Sequence, residues 1–140
     1  MIILINSINP PLPAVTVYGG KKIIFGTKLG AAPKAGGFIL KELKILEKRG
    51  ILKTEDIKKL AVLSGTGSFS GIRTGMAVGN ALALSLKIPI VLLDVKEIGD
   101  LESAAKIIAK KPGKPMAAPV YDREPNITVS KRKSCPVEQP

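Results

Sequence analysis

The run Leu60-Ala61-Val62-Leu63, then Ser64-Gly65-Thr66-Gly67-Ser68-Phe69-Ser70-Gly71, then Ile72-Arg73-Thr74-Gly75-Met76 and on to Leu86-Lys87, decides the fold. A short apolar segment, a glycine-serine turn and a long stretch of small and apolar residues read as strand, loop and helix 71–87. Ile88 to Leu93 follows as another strand, with Pro89 at its start, where a missing N–H is tolerated. A strand–helix–strand unit joins parallel neighbours, so at least part of the sheet is parallel.

Upstream, residues 2–6 read as a strand apolar on both faces. Asn9, Pro10, Pro11 and Pro13 make a turn. Val15, Val17 and Ile23-Ile24-Phe25 flank Gly19-Gly20, which predicts an antiparallel hairpin. Residues 34–49 carry Phe38, Ile39, Leu43 and Leu46 at helical steps, with Gly50 as the stop. Thr54, Glu55 and Asp56 start one more helical turn. Downstream, residues 101–110 form a short helix. The order is β-β-β-α-β-α-β-α, a mixed α/β sheet. Residues 1–110 form one lobe. Residues 111–140 form a proline- and lysine-rich, partly extended extension. It holds six of the eleven prolines, with Ala117 to Tyr121 as a candidate extra strand.

Composition narrows the chemistry. With 140 residues, 45% hydrophobic and 24% charged, the chain suits one folded domain with an aliphatic core, since aromatics are 4%. No histidine is present, which removes histidine triads, histidine metal sites and histidine proton shuttles. One cysteine, Cys135, makes neither an internal disulfide nor a zinc site alone. The net charge of +11 favours polyanions through counterion release; a solvated lysine-rich surface explains it equally well. Residues 81–95 contain Lys87 and Pro89 and do not read as a membrane span. The first residues lack a basic leader, so a cytoplasmic setting is expected.

Glycine-rich turns between strand and helix can hold an anion on backbone N–H groups, so Gly65, Gly67 and Ser68 form a candidate anion-binding loop. The spacing fits neither the dinucleotide fingerprint nor a P-loop, and a capped tight turn explains it too. Asp94, Glu97, Asp100 and Glu102 follow a strand, where carboxylates can hold a metal; helix capping is the commoner role, as for Asp100. Lys131-Arg132-Lys133 is too short a basic run to be diagnostic.

The two long helices carry more apolar surface than one sheet face requires. On helix 71–87, Gly71, Gly75, Gly79, Leu82 and Leu86 share a face with Ile72 and Met76 beside it, while Ala77, Ala81, Leu84 and Val78 lie opposite. Interior glycines cost about 1 kcal/mol each relative to alanine, a cost expected where another backbone comes close. Helix 34–49 has an Ile39, Leu40, Leu43, Leu46 stripe and a second one of Phe38 and Ile45. Burying some four extra aliphatic side chains yields roughly 6–12 kcal/mol gross, against an association cost on the order of 4–15 kcal/mol. One helix alone is marginal on these figures, and a partner is expected to need both helices together. Phe38, Ile45, Gly71, Ile72, Arg73, Gly75, Met76 and Gly79 are the expected contact residues.

Leu63 to Val91 resembles the TsaB (YeaZ) family, which typically shows G-x-G-S-F-T-G-[LI]-R-[IV]-G before a small-residue helix and an apolar Ile-Pro strand. Asp56 to Val62 resembles the family's approach to that loop. Ile3 to Ser7 is similar to its first strand, usually I-L-x-I-D-T-S, with Asn6 where the family usually has Asp. Pro119 to Pro125 resembles its P-x-Y-x-R-x-P segment. The resemblance implies a lobe of the actin-like ATPase fold shared with sugar kinases and Hsp70. The second subdomain is largely missing between about Asp100 and Met116. It also implies a non-catalytic bacterial subunit of the complex that makes threonylcarbamoyl-adenosine in tRNA. Such a subunit docks a TsaD-type catalytic subunit through its first two helices. A TsaE-type ATPase joins, tRNA is met through the complex, and a homodimer is the alternative when the subunit is alone. No cofactor belongs to the chain itself, and ATP or ADP enters only in the assembly. Two other readings stay open: a small nucleotide-dependent phosphotransferase using the Gly65–Gly71 loop, and a stand-alone basic RNA-binding module.

Overall fold

A computed structural model describes residues 1–8, 12–20, 22–26, 36–65 and 69–118. The strands are β1 (Ile2–Ile5), β2 (Val15–Gly19), β3 (Lys22–Gly26), β4 (Lys59–Ser64) and β5 (Ile90–Asp94). The helices are α1 (Gly36–Lys48), α2 (Phe69–Leu86) and α3 (Leu101–Lys110), with 3-10 turns at Thr54–Asp56 and Val95–Glu97. The order expected from sequence is the order found.

The five strands lie as β3-β2-β1-β4-β5. β1 pairs antiparallel with β2 (Ile3 opposite Val17) and parallel with β4 (Ile3 opposite Leu60). β4 and β5 are parallel, Leu60 opposite Ile90. Gly20, at φ +65°, supplies the left-handed residue of the β2–β3 turn. The central strands are buried on both faces, which is why β1 and β4 read as continuous apolar runs rather than alternating ones.

Period-2 alternation divides those strands between two cores. Ile3, Ile5, Val15, Val17, Leu60, Val62 and Ile90 face α1 and α2, meeting Ile39, Leu43 and Leu46 of α1 and Ile72, Met76 and Ala83 of α2. Leu4, Tyr18, Ala61, Leu63, Val91 and Leu93 face the other way, onto Ala104, Ala105 and Ile108 of α3. Gly50 at φ +71° ends α1, with Gly50 N–H donating to Glu47 O and Ile51 N–H to Leu46 O. α2 ends at Lys87, a non-glycine residue at φ +55°.

Residues 111–118 are fastened to this lobe. Lys114 forms an isolated antiparallel bridge with Ile90 (2.8 and 2.9 Å), and Asn80 exchanges two hydrogen bonds with the backbone of Ala117 (2.8 and 2.9 Å). The expected strand at 117–121 is placed differently: the β contact falls at Lys114, Ala117 and Ala118 belong to no strand, and 119–121 lie outside the described residues.

Candidate functional site

The carboxyl ends of β1, β4 and β5 carry the polar residues Asn6, Ser7, Ser64 and Asp94, with Gly65 following Ser64. Asn6 is 1% exposed. Its amide donates to Leu12 O (3.1 Å) and Pro13 O (3.2 Å), and its Oδ1 accepts from Ile8 N–H (3.1 Å). One side chain thus holds the β1–β2 connection together. Ser7 Oγ donates to Gly71 O at 2.6 Å, tying the end of β1 to the first turn of α2. Gly65 sits at φ +111°, and a Cβ there would stand 2.8 Å from Asp94 Oδ1, so both its backbone and its neighbour require glycine. Gly67 and Ser68 lie outside the described residues, so of the candidate anion loop only Gly65 is placed, buried against β5.

The acidic cluster has structural work. Asp94 Oδ1 accepts from Lys96 N–H (2.8 Å), and Glu97 reaches back to Asp94 N–H (3.3 Å) while paired with Lys111 at 2.5 Å. Asp100 caps α3: Ser103 N–H donates to it at 2.6 Å, and that bond is the first cause holding its carboxyl below the usual range. Among the described residues no group of three or more His, Cys, Asp or Glu stands together to hold a metal.

The helix faces separate the expected contact residues into two sets. Ile72 (1% exposed) and Met76 (3%) belong to the core under α2. A Cβ on Gly75 would collide with Ser7 Oγ and stand 3.3 Å from Val62 Cγ1. A Cβ on Gly79 would collide with Val62 Cγ2 and stand 3.1 Å from Ile90 Cδ1. The glycines therefore bring α2 close to its own sheet. The expectation that Gly75, Gly79, Ile72 and Met76 meet a partner is corrected: this chain's β1, β4 and β5 already occupy that face. Gly71 is partly buried, its carbonyl taken by Ser7.

The second set faces outward. Arg73, Ala77, Ala81 and Leu84 share the exposed side of α2, with Leu84 73% exposed. On α1, Phe38 is half-buried, Ile45 and Leu40 are exposed at 37% and 47%, and Lys41, Lys44 and Lys48 point away from the core. An apolar groove of about 270 Å³ runs between the helices, lined by Leu40, Leu43, Glu47, Leu82 and Leu86 above a floor of Ile3 and Leu60.

Three placements were not anticipated from sequence. Asn80 clamps Ala117. Lys59 Nζ donates to the carbonyls of Ile108, Ala109 and Lys111 (3.1, 3.4 and 2.8 Å), satisfying the open end of α3 with a cation. Tyr18, fully buried, donates its hydroxyl to Leu101 O at 2.8 Å; burial first and the Asp100 charge second push its pKa up to about 12.

The family described as TsaD, tRNA N6-adenosine threonylcarbamoyltransferase, matches residues 41–123, a span that begins within α1 and extends past α3. The solved structure of YeaZ from Pseudomonas aeruginosa superposes with a TM-score of 0.53 at 14% sequence identity, covering 66% of this chain and 43% of that one. The shared fold is thus an actin-like lobe, and the chain spans less than half the length of that relative. No curated protein sequence matches the chain.

Proposed function

This chain belongs to the TsaD family, and on that premise we propose that it is a non-catalytic, TsaB-like docking subunit in the synthesis of threonylcarbamoyl-adenosine in tRNA. Its partner in this reading is a TsaD-type catalytic subunit, bound by the outer sides of α1 and α2. A TsaE-type ATPase, tRNA and any ATP or ADP belong to the assembly rather than to this lobe.

One observation carries the reading. After α1 and α2 have packed against their own sheet, Leu40, Ile45 and Leu84 still stand 37–73% exposed on those two helices. Exposed aliphatics gathered on one layer of a small domain mark an interaction surface. The site chemistry agrees, because the Asn6 amide is spent on its own turn. Among the described residues no helix is long and apolar enough to cross a membrane.

Co-expression with the TsaD-type protein of the same genome tests this. A stable complex on gel filtration at micromolar concentration is expected. Two separate peaks at that concentration would refute it, and micromolar ATP binding by the isolated chain would favour the phosphotransferase reading.

A further inference from the structure

The segment after α3 does more than end the chain's described part. Lys111 Nζ donates to Leu92 O at 3.4 Å, Lys114 pairs with Ile90, and Ala117 is gripped on both its N–H and its C=O by Asn80. Gly113 lies so close to Pro89 that a Cβ would collide with it. Four fastenings over seven residues make this segment a strap across the edge of β5 and onto the flank of α2.

Between strap and helix lies a cleft of about 370 Å³, lined by Leu84, Lys87, Ile88, Pro89, Lys114 and Pro115 among others. Leu84 on one wall is 73% exposed, and Met116, between Pro115 and the clamped Ala117, is 64% exposed. The strap therefore carries an exposed apolar side chain of its own, next in sequence to the cleft-lining Pro115.

Charge tells what this cleft fits. Lys87 and Lys114 line it, Arg73 lies further along the same helix face, and neither α2 nor residues 110–118 contain a carboxylate. Lys87 holds its place in a left-handed backbone conformation normally left to glycine, and such strain persists where position matters. A second copy docking by this face would set these cations against their equivalents, in a chain already at +11. An apolar centre with a one-signed rim calls for a different protein whose apolar segment is flanked by carboxylates.

We propose that the strap and α2 together form the docking cleft, with Leu84 and Met116 as apolar anchors and Lys87 and Lys114 pairing with acidic residues of another chain. This rests on the docking reading above, and takes the acidic-flanked segment to belong to the TsaD-type subunit. Asn80 is a positioning residue: it fixes Met116 by holding Ala117.

The test titrates the full chain and its variants against the purified TsaD-type subunit. Met116→Asp and the pair Lys87→Glu with Lys114→Glu should each weaken binding by about tenfold or more, and the charge-reversal loss should shrink between about 50 mM and 0.5 M salt. Asn80→Ala should raise hydrogen exchange at residues 114–117 and weaken binding, with the thermal melt of α2 retained. Wild-type affinity in both Met116→Asp and the charge pair would overturn the cleft and leave the docking reading standing. Absence of any wild-type complex would overturn both. Self-association of the wild type blocked by Met116→Asp, or tRNA binding by the isolated chain abolished by the charge pair, would equally overturn the assignment to an acidic protein partner.

Discussion

Replacing Gly79 with alanine distinguishes a glycine kept for a partner from a glycine kept for the sheet. In the first case the new methyl meets nothing in the lone chain and adds about 1 kcal/mol of helix propensity. In the structure it collides with Val62 Cγ2 and stands 3.1 Å from Ile90 Cδ1 and 3.7 Å from Leu60 Cδ2. All three residues are at most 1% exposed, and Val62 and Ile90 are β-branched, with little rotamer freedom. The helix must move. Overpacking of this kind costs about 1–3 kcal/mol, so after the propensity gain the net loss is about 0–2 kcal/mol, with a central value of about 1 that sets the expected midpoint shift. With a urea slope of about 1–3 kcal/mol per molar, the unfolding midpoint should fall by about 0.3–1 M. Val62→Ala, which removes the obstructing methyls, should relieve the damage, with a coupling of about 1 kcal/mol or more in the double mutant cycle. A Gly79→Ala chain more stable than wild type, with no coupling to Val62, would refute the packing argument.

Two further perturbations follow from buried polar groups. Tyr18 is neutral in the fold with its pKa raised to about 12 from 10.0, so its contribution is complete below pH 10 and is lost as pH rises towards 12. The loss is on the order of 2–3 kcal/mol, and Tyr18→Phe should abolish that alkaline step in urea melts; an identical pH dependence in both chains would contradict it. Asn6→Asp restores the residue usual in the resembling family but turns two donated hydrogen bonds, to Leu12 O and Pro13 O, into carboxylate–carbonyl contacts. It should destabilise by about 2–5 kcal/mol at neutral pH. The deficit should shrink in acid, because burial raises the new carboxyl's pKa and only its protonated form donates. Equal stability at pH 7 would count against the role given to Asn6.

The fold was largely legible in the sequence because its signals are local. Apolar runs too short for helices gave β1, β4 and β5. Gly19-Gly20 gave the hairpin, Gly50 the end of α1, and Asp100 the start of α3. The orientation of α2 was not legible. A helix with Gly75 and Gly79 on one side and Ala77, Ala81 and Leu84 on the other has two plausible inner faces, and helical periodicity does not say which neighbour comes close. Only the third dimension shows Val62 and Ile90 filling the space a side chain would need. The same holds for Asn80 and Ala117, or Lys59 and Ile108, whose partners lie 37 and 49 residues away. Lys87 sits where a glycine would conventionally end α2, so the sequence carries no glycine stop there.

The outward assignment of Leu40, Ile45 and Leu84 is the premise of the functional account, and calorimetric titration of the chain with its TsaD-type subunit at several temperatures tests it most directly. Burying those side chains should give saturable binding with a negative heat-capacity change, and Leu84→Asp should remove both without altering the melt of the free chain. No binding, or binding that vanishes with added salt and shows no heat-capacity change, would contradict the account.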